Sequence, residues 1–395
     1  MRIGIISSGT KADRIPPIYG GGIQKYSWNL ARELNKLGHE VHVFTILHPG
    51  ESRDEALDGV FIHRISRFLG MNVFNTIIFG LKAFFRILHV QKKTGPFHIL
   101  HAQSRVSSLL IRYLFPYKIP FIITAHNWDV LLTVPAAVLS RPTYFLVLFM
   151  EKLACLKSDG VISLTEFFKK ILLNRLKLPS SKVQVIPNMI TIRESHKKPA
   201  DLQPIIKKIV SESYLLYIGR LEKEKGLNFL IEKFKAITNQ QENLKLVLIG
   251  RGSLELELKR LGKKFKIADK LYFLGGLHEN QLRPLLKAAR ALILPSHFEI
   301  MPTVILEAWA AGCPVIANNY QGVQALIRHE STGLIFQKDK GQHLPSVVQK
   351  LFTQKNLRDT IIKNAKAQIR SKYASSQVVK QIIAMYRDLV NRCNQ

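Results

Sequence analysis

The pattern of apolar and polar positions opens with a short buried segment, a glycine-rich loop and an amphipathic segment. Arg2 to Ser7 is a short apolar run, which predicts a buried strand. Ile23 to Leu37 places apolar residues three or four positions apart, and Gly38 stands where a helix commonly ends. Val41 to Leu47 is the next predicted strand. This series predicts a Rossmann-like unit with a parallel sheet.

The same alternation continues and then restarts after a polar stretch. Further strands of the first series are predicted at Ile99–His101, Phe121–Thr124, Gly160–Ser163 and Val183–Ile186. The polar segment Glu194–Gln203 is the predicted linker. Beyond it we predict strands and helices at Leu215–Ile218, Leu227–Thr238, Lys245–Ile249, Leu271–Leu274, Ala291–Leu294, Thr303–Ala311, Pro314–Ala317, Leu357–Lys372 and Ser375–Arg392.

Two successive series of this kind predict an α/β protein of two Rossmann-like domains. The predicted boundaries are 1–195 for the first domain and 196–372 for the second, with a final helix at 373–395 that packs on the first. The strands of the second series run into Gly219-Arg220, Gly250-Arg251-Gly252, Gly275-Gly276 and Pro295-Ser296. Ligands of parallel sheets bind at the carboxyl ends of the strands, so a binding site is predicted there.

The composition adds a strong positive charge, with 58 Lys and Arg against 28 Asp and Glu and a net charge of +30. Such a charge fits a nucleic-acid binder, a partner of an anionic membrane or general surface basicity. The basic residues are spread over both halves, and the chain has neither an RNA-binding aromatic signature nor a zinc finger, which disfavours nucleic acid.

Cysteine usage and hydropathy indicate the compartment. The three cysteines have no CxxC spacing, which excludes a disulfide scaffold and fits a reducing cytoplasm. No uncharged apolar run approaches the ~20 residues that span a bilayer, and the N-terminus has no signal-peptide pattern. We therefore expect a cytoplasmic protein, with docking on the inner face of the cell membrane as an open alternative.

The most specific motif lies between Glu299 and Ala317. Glu299 and Glu307 are separated by seven residues and are followed by Gly312 and Pro314-Val315. This segment resembles the E-x7-E motif of the family 4 glycosyltransferases, which have the GT-B fold. Matches in the same order along most of the chain are Gly20-Gly21-Gly22, His126, Ile186-Pro187-Asn188, Gly219-Arg220-Leu221, Lys225-Gly226, Gly250-Arg251-Gly252, Phe273-Leu274-Gly275 and Ser331-Thr332-Gly333-Leu334.

The resemblance implies two Rossmann-like domains with parallel sheets facing a central cleft, and a retaining glycosyltransferase. The implied donor is a nucleotide-diphosphate sugar, with UDP or GDP as the nucleotide, and no metal or other cofactor is expected. The implied acceptor is a hydroxyl of a glycan or of a lipid-linked molecule. Many relatives have Gly-Phe-Gly where this chain has Ile300-Met301-Pro302. This difference concerns selectivity for the donor sugar.

The resemblance also assigns roles to individual residues. Arg220 and Lys225 would stabilise the leaving diphosphate, Glu299 and His126 would contact the donor sugar, and Glu307 would hold the ribose. The helix that begins near Pro302 and Thr303 would direct free N–H groups at the phosphates. The other predicted donor-binding residues are Gly21, Gly22, Gly250, Leu274, Gly275 and Met301.

Each of these roles has a structural alternative. Arg220 and Lys225 could be solvated charges, Glu307 could complement the helix dipole, and His126 could be an ordinary buried histidine. His101, also at a strand end, is a weaker active-site candidate than His126.

Two segments of the first domain combine apolar and basic residues, Phe68–Val90 and Leu139–Leu156. Such segments either lie in a membrane interface or form ordinary buried helices. Two other functions stay open at this point. One is a non-catalytic GT-B-like protein that binds an anionic membrane or nucleic acid, and the other is a sugar-nucleotide epimerase. The sequence identifies neither the donor nor the acceptor.

Overall fold

The computed structural model describes residues 1–7, 14–17, 21–66, 73–103, 105–115, 119–126, 141–191, 202–340 and 343–394. The chain forms two compact units, Met1–Asn188 with Ser375–Gln395, and Met189–Ala374. Each unit is an α/β domain, as predicted; the sheet of the second unit is parallel throughout, and that of the first is parallel except at one edge strand. The predicted boundary after residue 195 lies outside the described residues.

The described residues of the first unit contain an eight-stranded sheet. Its strands are β1 (Arg2–Ile6), β2 (Glu40–Ile46), β3 (Asp54–Leu57), β4 (Val60–Ile65), β5 (Ile99–Ala102), β6 (Phe121–Ala125), β7 (Gly160–Ser163) and β8 (Val183–Val185). The spatial order is β3-β4-β2-β1-β5-β6-β7-β8, and all pairs are parallel except β3 with β4. β1 therefore lies in the middle, where its residues Ile3, Ile5 and Ile6 are fully buried.

The helices of the first unit connect these strands. They are α1 (Gly22–Lys36), α2 (Val73–Thr94), α3 (Arg105–Leu114), α4 (Arg141–Lys157) and α5 (Glu166–Leu176). α3 packs against both α2 and α4. α5 begins with a side-chain cap, because the Thr165 hydroxyl accepts a hydrogen bond from the Phe168 amide at 3.1 Å.

The second unit contains a sheet of six described strands, all parallel. They are β9 (Tyr214–Ile218), β10 (Lys245–Ile249), β11 (Leu271–Phe273), β12 (Ala291–Leu294), β13 (Val315–Asn318) and β14 (Leu334–Phe336), in the order β11-β10-β9-β12-β13-β14. The helices of this unit are α6 (Pro204–Val210), α7 (Leu227–Gln240), α8 (Glu255–Lys264), α9 (Glu279–Ala288), α10 (Thr303–Ala311), α11 (Gln321–Gln324), α12 (His343–Thr353) and α13 (Lys355–Gln368).

The end of the chain returns to the first unit. A π-helical turn, Ile369–Tyr373, follows α13, and α14 (Ser375–Asn394) then packs against α1. The sequence predicted one helix, Leu357–Lys372, where the structure has α13 and this wider turn. The aromatic ring of Tyr386 on α14 contacts His101 of β5, which ties the last helix to the first sheet.

The edge hairpin β3–β4 was not predicted. All four residues of β3 are exposed, and its first two, Asp54 and Glu55, are charged. β4 carries His63 and Arg64 between apolar residues, which interrupts the alternation typical of a strand. Pairing with its neighbours, rather than local pattern, determines this edge.

Candidate functional site

The predicted donor-binding residues follow four adjacent strands of the second sheet. Arg220 comes after β9, Gly250 after β10, Leu274 after β11 and Glu299 after β12. The spatial order β11-β10-β9-β12 makes these strands direct neighbours, and all are parallel. Their carboxyl ends therefore meet at one edge, which brings together residues that are distant in sequence.

A half-buried ion pair joins Lys225 and Glu299 at this edge. The Nζ atom of Lys225 lies 3.2 Å from Oε1 of Glu299, and the two side chains are 14% and 22% exposed. The same carboxylate oxygen accepts a hydrogen bond from the hydroxyl of the fully buried Ser296 at 2.7 Å. Asn318 donates in turn to the Ser296 backbone carbonyl at 3.1 Å. Glu299 is thus held in one orientation by a cation and a hydroxyl.

Arg220 has a different environment from Lys225. Its guanidinium donates to Oε1 of Glu224 at 2.7 Å, and its side chain is 64% exposed. An exposed pair of this kind contributes little to stability. Its backbone carbonyl, in contrast, accepts a hydrogen bond from the buried Tyr217 hydroxyl at 2.8 Å. The backbone of Arg220 is therefore fixed while its side chain faces solvent.

Two glycines are required by the packing of these loops. Gly226 directly precedes α7 with φ of +69°, and a β-carbon there would collide with the backbone carbonyl of Pro295. Gly250 has φ of +138°, and a β-carbon would collide with the carbonyl of Gly219. Side chains at either position would push apart the loops that follow β9, β10 and β12.

The loops after β10 and β11 continue the sheet by backbone hydrogen bonds. The Gly250 amide donates to the Gly275 carbonyl at 2.8 Å, and the Leu274 amide donates to Leu248 at 3.0 Å. Glu222 links this region to the loop after β9, because its carboxylate accepts from the amide and the hydroxyl of Ser253 at 3.0 and 2.6 Å. These bonds hold the pKa of Glu222 below its usual range, with the Ser253 hydroxyl as the main cause.

The helix α10 begins beside the ion pair. Met301 and Pro302 are buried, and Pro302 precedes the first helical residue, Thr303, without a side-chain cap. Free amides at a helix N-terminus attract anions. Glu307 lies in the second turn of α10 and is half-buried. The predicted residues Met301, Pro302, Thr303 and Glu307 therefore lie on one short element directly after Glu299.

Two buried tyrosines, Tyr217 and Tyr320, have a raised pKa to which the Glu299 carboxylate contributes. Burial raises the pKa of Tyr217 well above its usual value, and the Glu299 carboxylate raises it further. The pKa of Tyr320 is raised in the same way, again by burial first and then by Glu299. Both phenols therefore stay protonated at neutral pH and serve as polar but uncharged neighbours of the carboxylate.

In the first unit, His126 directly follows β6 and is 7% exposed. Its Nε2–H donates to Oε1 of Gln103 at 2.6 Å. The buried ring of Tyr26, on α1, meets the imidazole edge-to-face with the ring centroids 4.7 Å apart. Gln103 directly follows β5, so two neighbouring strand ends and α1 fix the orientation of His126.

The two candidate glycines of this unit begin α1. Gly21 is the residue before the helix, with extended backbone, and Gly22 is its first residue. Gly20, named with them in the motif, lies outside the described residues. His101 is fully buried within β5, with its ring nitrogens 2.6 Å from the Tyr386 hydroxyl and 2.7 Å from the Thr124 hydroxyl. These contacts make His101 a structural residue.

Several residues that orient the site were not assigned a role from the sequence. Ser296 was placed at the predicted binding edge but given no role, and Asn318 and Gln103, which also lie at the ends of strands, were not predicted. Tyr26 reads in sequence as one of the apolar positions of α1. Its contact with His126 depends on how α1 packs on the sheet.

The described residues offer neither a membrane-spanning helix nor a cluster of metal ligands. None of their helices is long and apolar enough to cross a bilayer. Nor do they bring together three His, Cys, Asp or Glu side chains in a way that could hold a metal ion.

Comparison with known proteins identifies the class. Residues 20–194 match the model of Glycosyltransferase Family 4, and residues 201–368 match that of Glycosyl transferases group 1. An uncharacterised glycosyltransferase of Methanocaldococcus jannaschii is 26% identical over 94% of this chain and 95% of that protein. A Campylobacter jejuni N-acetylgalactosaminyltransferase, named for an acceptor glycan on diphospho-undecaprenol, is 25% identical over 95% of this chain and 98% of its own.

Solved structures agree in fold. Sucrose-phosphate synthase of Thermosynechococcus elongatus superposes with a TM-score of 0.81 at 20% identity, covering 99% of this chain and 100% of that one. Anabaena HepE in complex with UDP-glucose superposes with a TM-score of 0.76 at 16% identity, covering 98% and 100%. The chain therefore belongs to the group 1 glycosyltransferases and has the GT-B fold.

Proposed function

We propose that this glycosyltransferase moves a sugar from a nucleotide-diphosphate sugar to a hydroxyl group with retention of the anomeric configuration. The observation that carries the proposal is the half-buried pair of Lys225 and Glu299 at the carboxyl edge of the second sheet. A cation and a carboxylate placed side by side fit a ligand with an anionic leaving group next to sugar hydroxyls. UDP and GDP are the proposed nucleotides, and the Anabaena neighbour was solved with UDP-glucose.

In this proposal, charge on the leaving diphosphate is stabilised by fixed protein groups. Negative charge develops on the diphosphate as the glycosidic bond breaks, and preorganised donors lower the barrier. Lys225 supplies a compact charge, and the exposed guanidinium of Arg220 can leave Glu224 to bind phosphate oxygens bidentately. The amides at the start of α10, near Thr303, add a third source of positive potential. We propose that no metal ion and no other cofactor take part.

The proposed sugar and nucleotide contacts follow the same strand ends. Glu299 would accept hydrogen bonds from donor-sugar hydroxyls, and Glu307 from the ribose. Gly250, Leu274 and Gly275 would line the nucleotide, and Met301 and Pro302 would border the sugar. In the first unit we assign the donor-sugar contact to His126 and close backbone approach to Gly21 and Gly22.

The proposed chemistry is a same-face displacement. The bond between the anomeric carbon and the phosphate oxygen breaks, the acceptor oxygen forms its bond on the same face, and the hydroxyl proton passes to the leaving phosphate. We assign Glu299 to binding of the donor sugar rather than to nucleophilic attack, with its Oε1 atom held by Lys225 and Ser296. Trapping of a covalent glycosyl–enzyme intermediate would overturn this mechanism.

A glycan or lipid-linked acceptor at a membrane surface is the proposed second substrate. The helices α2 and α4 bury one face but expose large apolar side chains on the other. These residues are Leu81, Phe85, Phe145, Leu146 and Phe149, which are 42% to 65% exposed. Basic residues, including Lys82 and Arg86, flank the apolar ones on α2. This combination supports peripheral docking on an anionic membrane from the cytoplasmic side.

Donor hydrolysis tests the proposed site. The wild-type protein should slowly release nucleoside diphosphate from a sugar nucleotide. The increase in melting temperature with UDP, GDP or ADP identifies the nucleotide that the protein binds, and hence the sugar nucleotide to use. Lys225→Ala and Glu307→Ala should abolish the release. Lys223→Ala is the matched control, because Lys223 is an exposed cation in the same turn. Equal release by all three variants would refute the site assignment. A wild type that releases no nucleoside diphosphate from any of the sugar nucleotides would favour a non-catalytic protein.

A further inference from the structure

The hydroxyl of Tyr320 is a buried polar group at the carboxyl edge of the second sheet. Tyr320 directly precedes α11, shortly after the end of β13, and is 8% exposed. Among the described residues, none makes a hydrogen bond with this hydroxyl. Buried tyrosine hydroxyls usually have a partner, because burying a polar group without one costs free energy. The unpaired hydroxyl therefore points to a partner that the protein itself does not supply.

Tyr320 lies close to Glu299. β13 is the parallel neighbour of β12, so the two residues follow adjacent strand ends. Gly322, in the first turn of α11, is packed so tightly that a β-carbon there would collide with the carbonyl oxygen of Glu299. The Glu299 carboxylate also contributes to the raised pKa of Tyr320, as expected for groups that are near each other.

Tyr217 provides a comparison within the same site. It is a second buried tyrosine near Glu299, but its hydroxyl donates to the Arg220 carbonyl at 2.8 Å. The fold thus pairs one of the two phenols and leaves the other unpaired. Burial raises the pKa of Tyr320 well above its usual value, so the hydroxyl keeps its proton and can donate it to a ligand.

A sugar hydroxyl suits a position between a carboxylate and a phenol. It can donate its proton to Glu299 while it accepts a hydrogen bond from Tyr320. The Oε1 atom of Glu299 is bound by Lys225 and Ser296, whereas none of the described residues donates a hydrogen bond to Oε2. A phosphate group suits this position less well, because it has no proton to donate and the carboxylate repels it.

We propose that the Tyr320 hydroxyl donates a hydrogen bond to a hydroxyl of the donor sugar, the same sugar hydroxyl that donates to Glu299. This inference rests on the proposed function, in which Glu299 binds the donor sugar, and it adds a second protein group to that contact. A sugar without this hydroxyl leaves the phenol buried and unpaired, so it is bound less tightly. Tyr320 is therefore a specificity-determining residue for the donor sugar.

The test is Tyr320→Phe, which removes the hydroxyl and keeps the shape of the side chain. Calorimetric titration gives the dissociation constants of a sugar nucleotide and of its nucleoside diphosphate. The sugar nucleotide is the one that the wild type hydrolyses fastest among UDP-glucose, UDP-galactose and GDP-mannose. The variant should bind it about fivefold more weakly or worse, and should bind the nucleoside diphosphate as the wild type does. An unchanged ratio of the two dissociation constants overturns the inference.

Tyr214→Phe is the matched control. Tyr214 is a fully buried tyrosine of the same unit, and its hydroxyl donates to the Leu285 carbonyl at 2.6 Å. It begins β9, about 13 Å from the carboxyl end of that strand. The control should lower the melting temperature and leave the ratio of dissociation constants unchanged. Tyr320→Phe should keep the melting temperature, because it removes no hydrogen bond within the fold. A lower melting temperature with an unchanged ratio means that the fold pairs this hydroxyl, which overturns the inference.

Deoxy sugars identify the sugar hydroxyl. One monodeoxy form of the donor should bind equally to the wild type and to Tyr320→Phe, because the partner of the phenol is then missing in both complexes. If every monodeoxy form keeps the fivefold difference, Tyr320 does not contact a sugar hydroxyl and the inference is wrong.

Hydrolysis by the wild type separates this inference from the proposed function. A wild type that hydrolyses the donor, with an unchanged ratio of dissociation constants in Tyr320→Phe, overturns the role of Tyr320 alone. A wild type that neither binds nor hydrolyses any of the sugar nucleotides overturns the proposed function and this inference with it.

Discussion

The buried His101 should make the first unit sensitive to acid. Burial lowers the pKa of this imidazole from about 6.5 to about 3, and its ring nitrogens contact the neutral hydroxyls of Tyr386 and Thr124. Between these two pH values the unfolded chain binds a proton at His101 that the folded chain does not. Stability therefore falls as the pH decreases through this window.

The magnitude follows from the difference in pKa. About 1.4 kcal/mol per pH unit gives a loss of roughly 2 kcal/mol at pH 5 and an upper limit of roughly 5 kcal/mol at pH 3. His101→Gln keeps a donor and an acceptor for the two hydroxyls but cannot ionise. The variant should lack this part of the pH dependence, whatever its stability at neutral pH.

Urea unfolding at pH 7.5 and pH 5.0 measures the effect. A Trp128→Phe/Trp309→Phe background leaves Trp28, on α1 of the first unit, as the fluorescent reporter. The unfolding free energy of the parent should fall about 2 kcal/mol more than that of His101→Gln between the two pH values. His89→Gln, which removes an exposed histidine, should behave like the parent. The reasoning is refuted if His101→Gln and the parent show the same pH dependence.

Two further predictions concern the donor site and the membrane. Gly226→Ala should reduce donor hydrolysis at least tenfold, because the added β-carbon moves Lys225 away from Glu299. Gly38→Ala is the control: Gly38 also has a positive φ, of +80°, but has open space around it, so the variant should lower only the melting temperature. Equal loss of activity in both variants would contradict the steric argument. Phe85→Ser/Phe149→Ser should weaken co-sedimentation with phosphatidylglycerol vesicles about tenfold or more at low salt, because two exposed aromatic side chains are removed. Leu256→Ser, at a 70% exposed site in the second unit, is the control, and a wild type that does not sediment with these vesicles would end the membrane proposal.

The sequence located much of the second unit correctly. Apolar runs predicted β9, β10, β11 and β12, of which the first three run into glycine and β12 runs into Pro295-Ser296. The signal is strong in β9, β10 and β12 because these strands are almost entirely buried, and β11 is half-buried. The edge strand β3 was missed, since an exposed strand has no apolar signal. β14 was also missed, although its three residues are all apolar.

The site was predicted as a set of residues, but not as a set of contacts. The spacing of Glu299 and Glu307 identified the motif, and Arg220 and Lys225 were found together. The sequence assigned the same role, stabilisation of the leaving diphosphate, to both cations. The structure separates them: Lys225 is half-buried against Glu299, whereas Arg220 is exposed and paired with Glu224.

The sequence by itself determined the order of the elements, the two-unit architecture and the glycosyltransferase family, because hydrophobic period and motif residues are local properties of the chain. Only the tertiary structure decided which distant groups meet. Ser296 reaches Glu299, Gln103 reaches His126, and Arg86 of α2 reaches Asp54 of the hairpin after β2. The physical reason is that the order of strands in a sheet, and not their order in the chain, brings side chains within hydrogen-bonding distance and sets their burial.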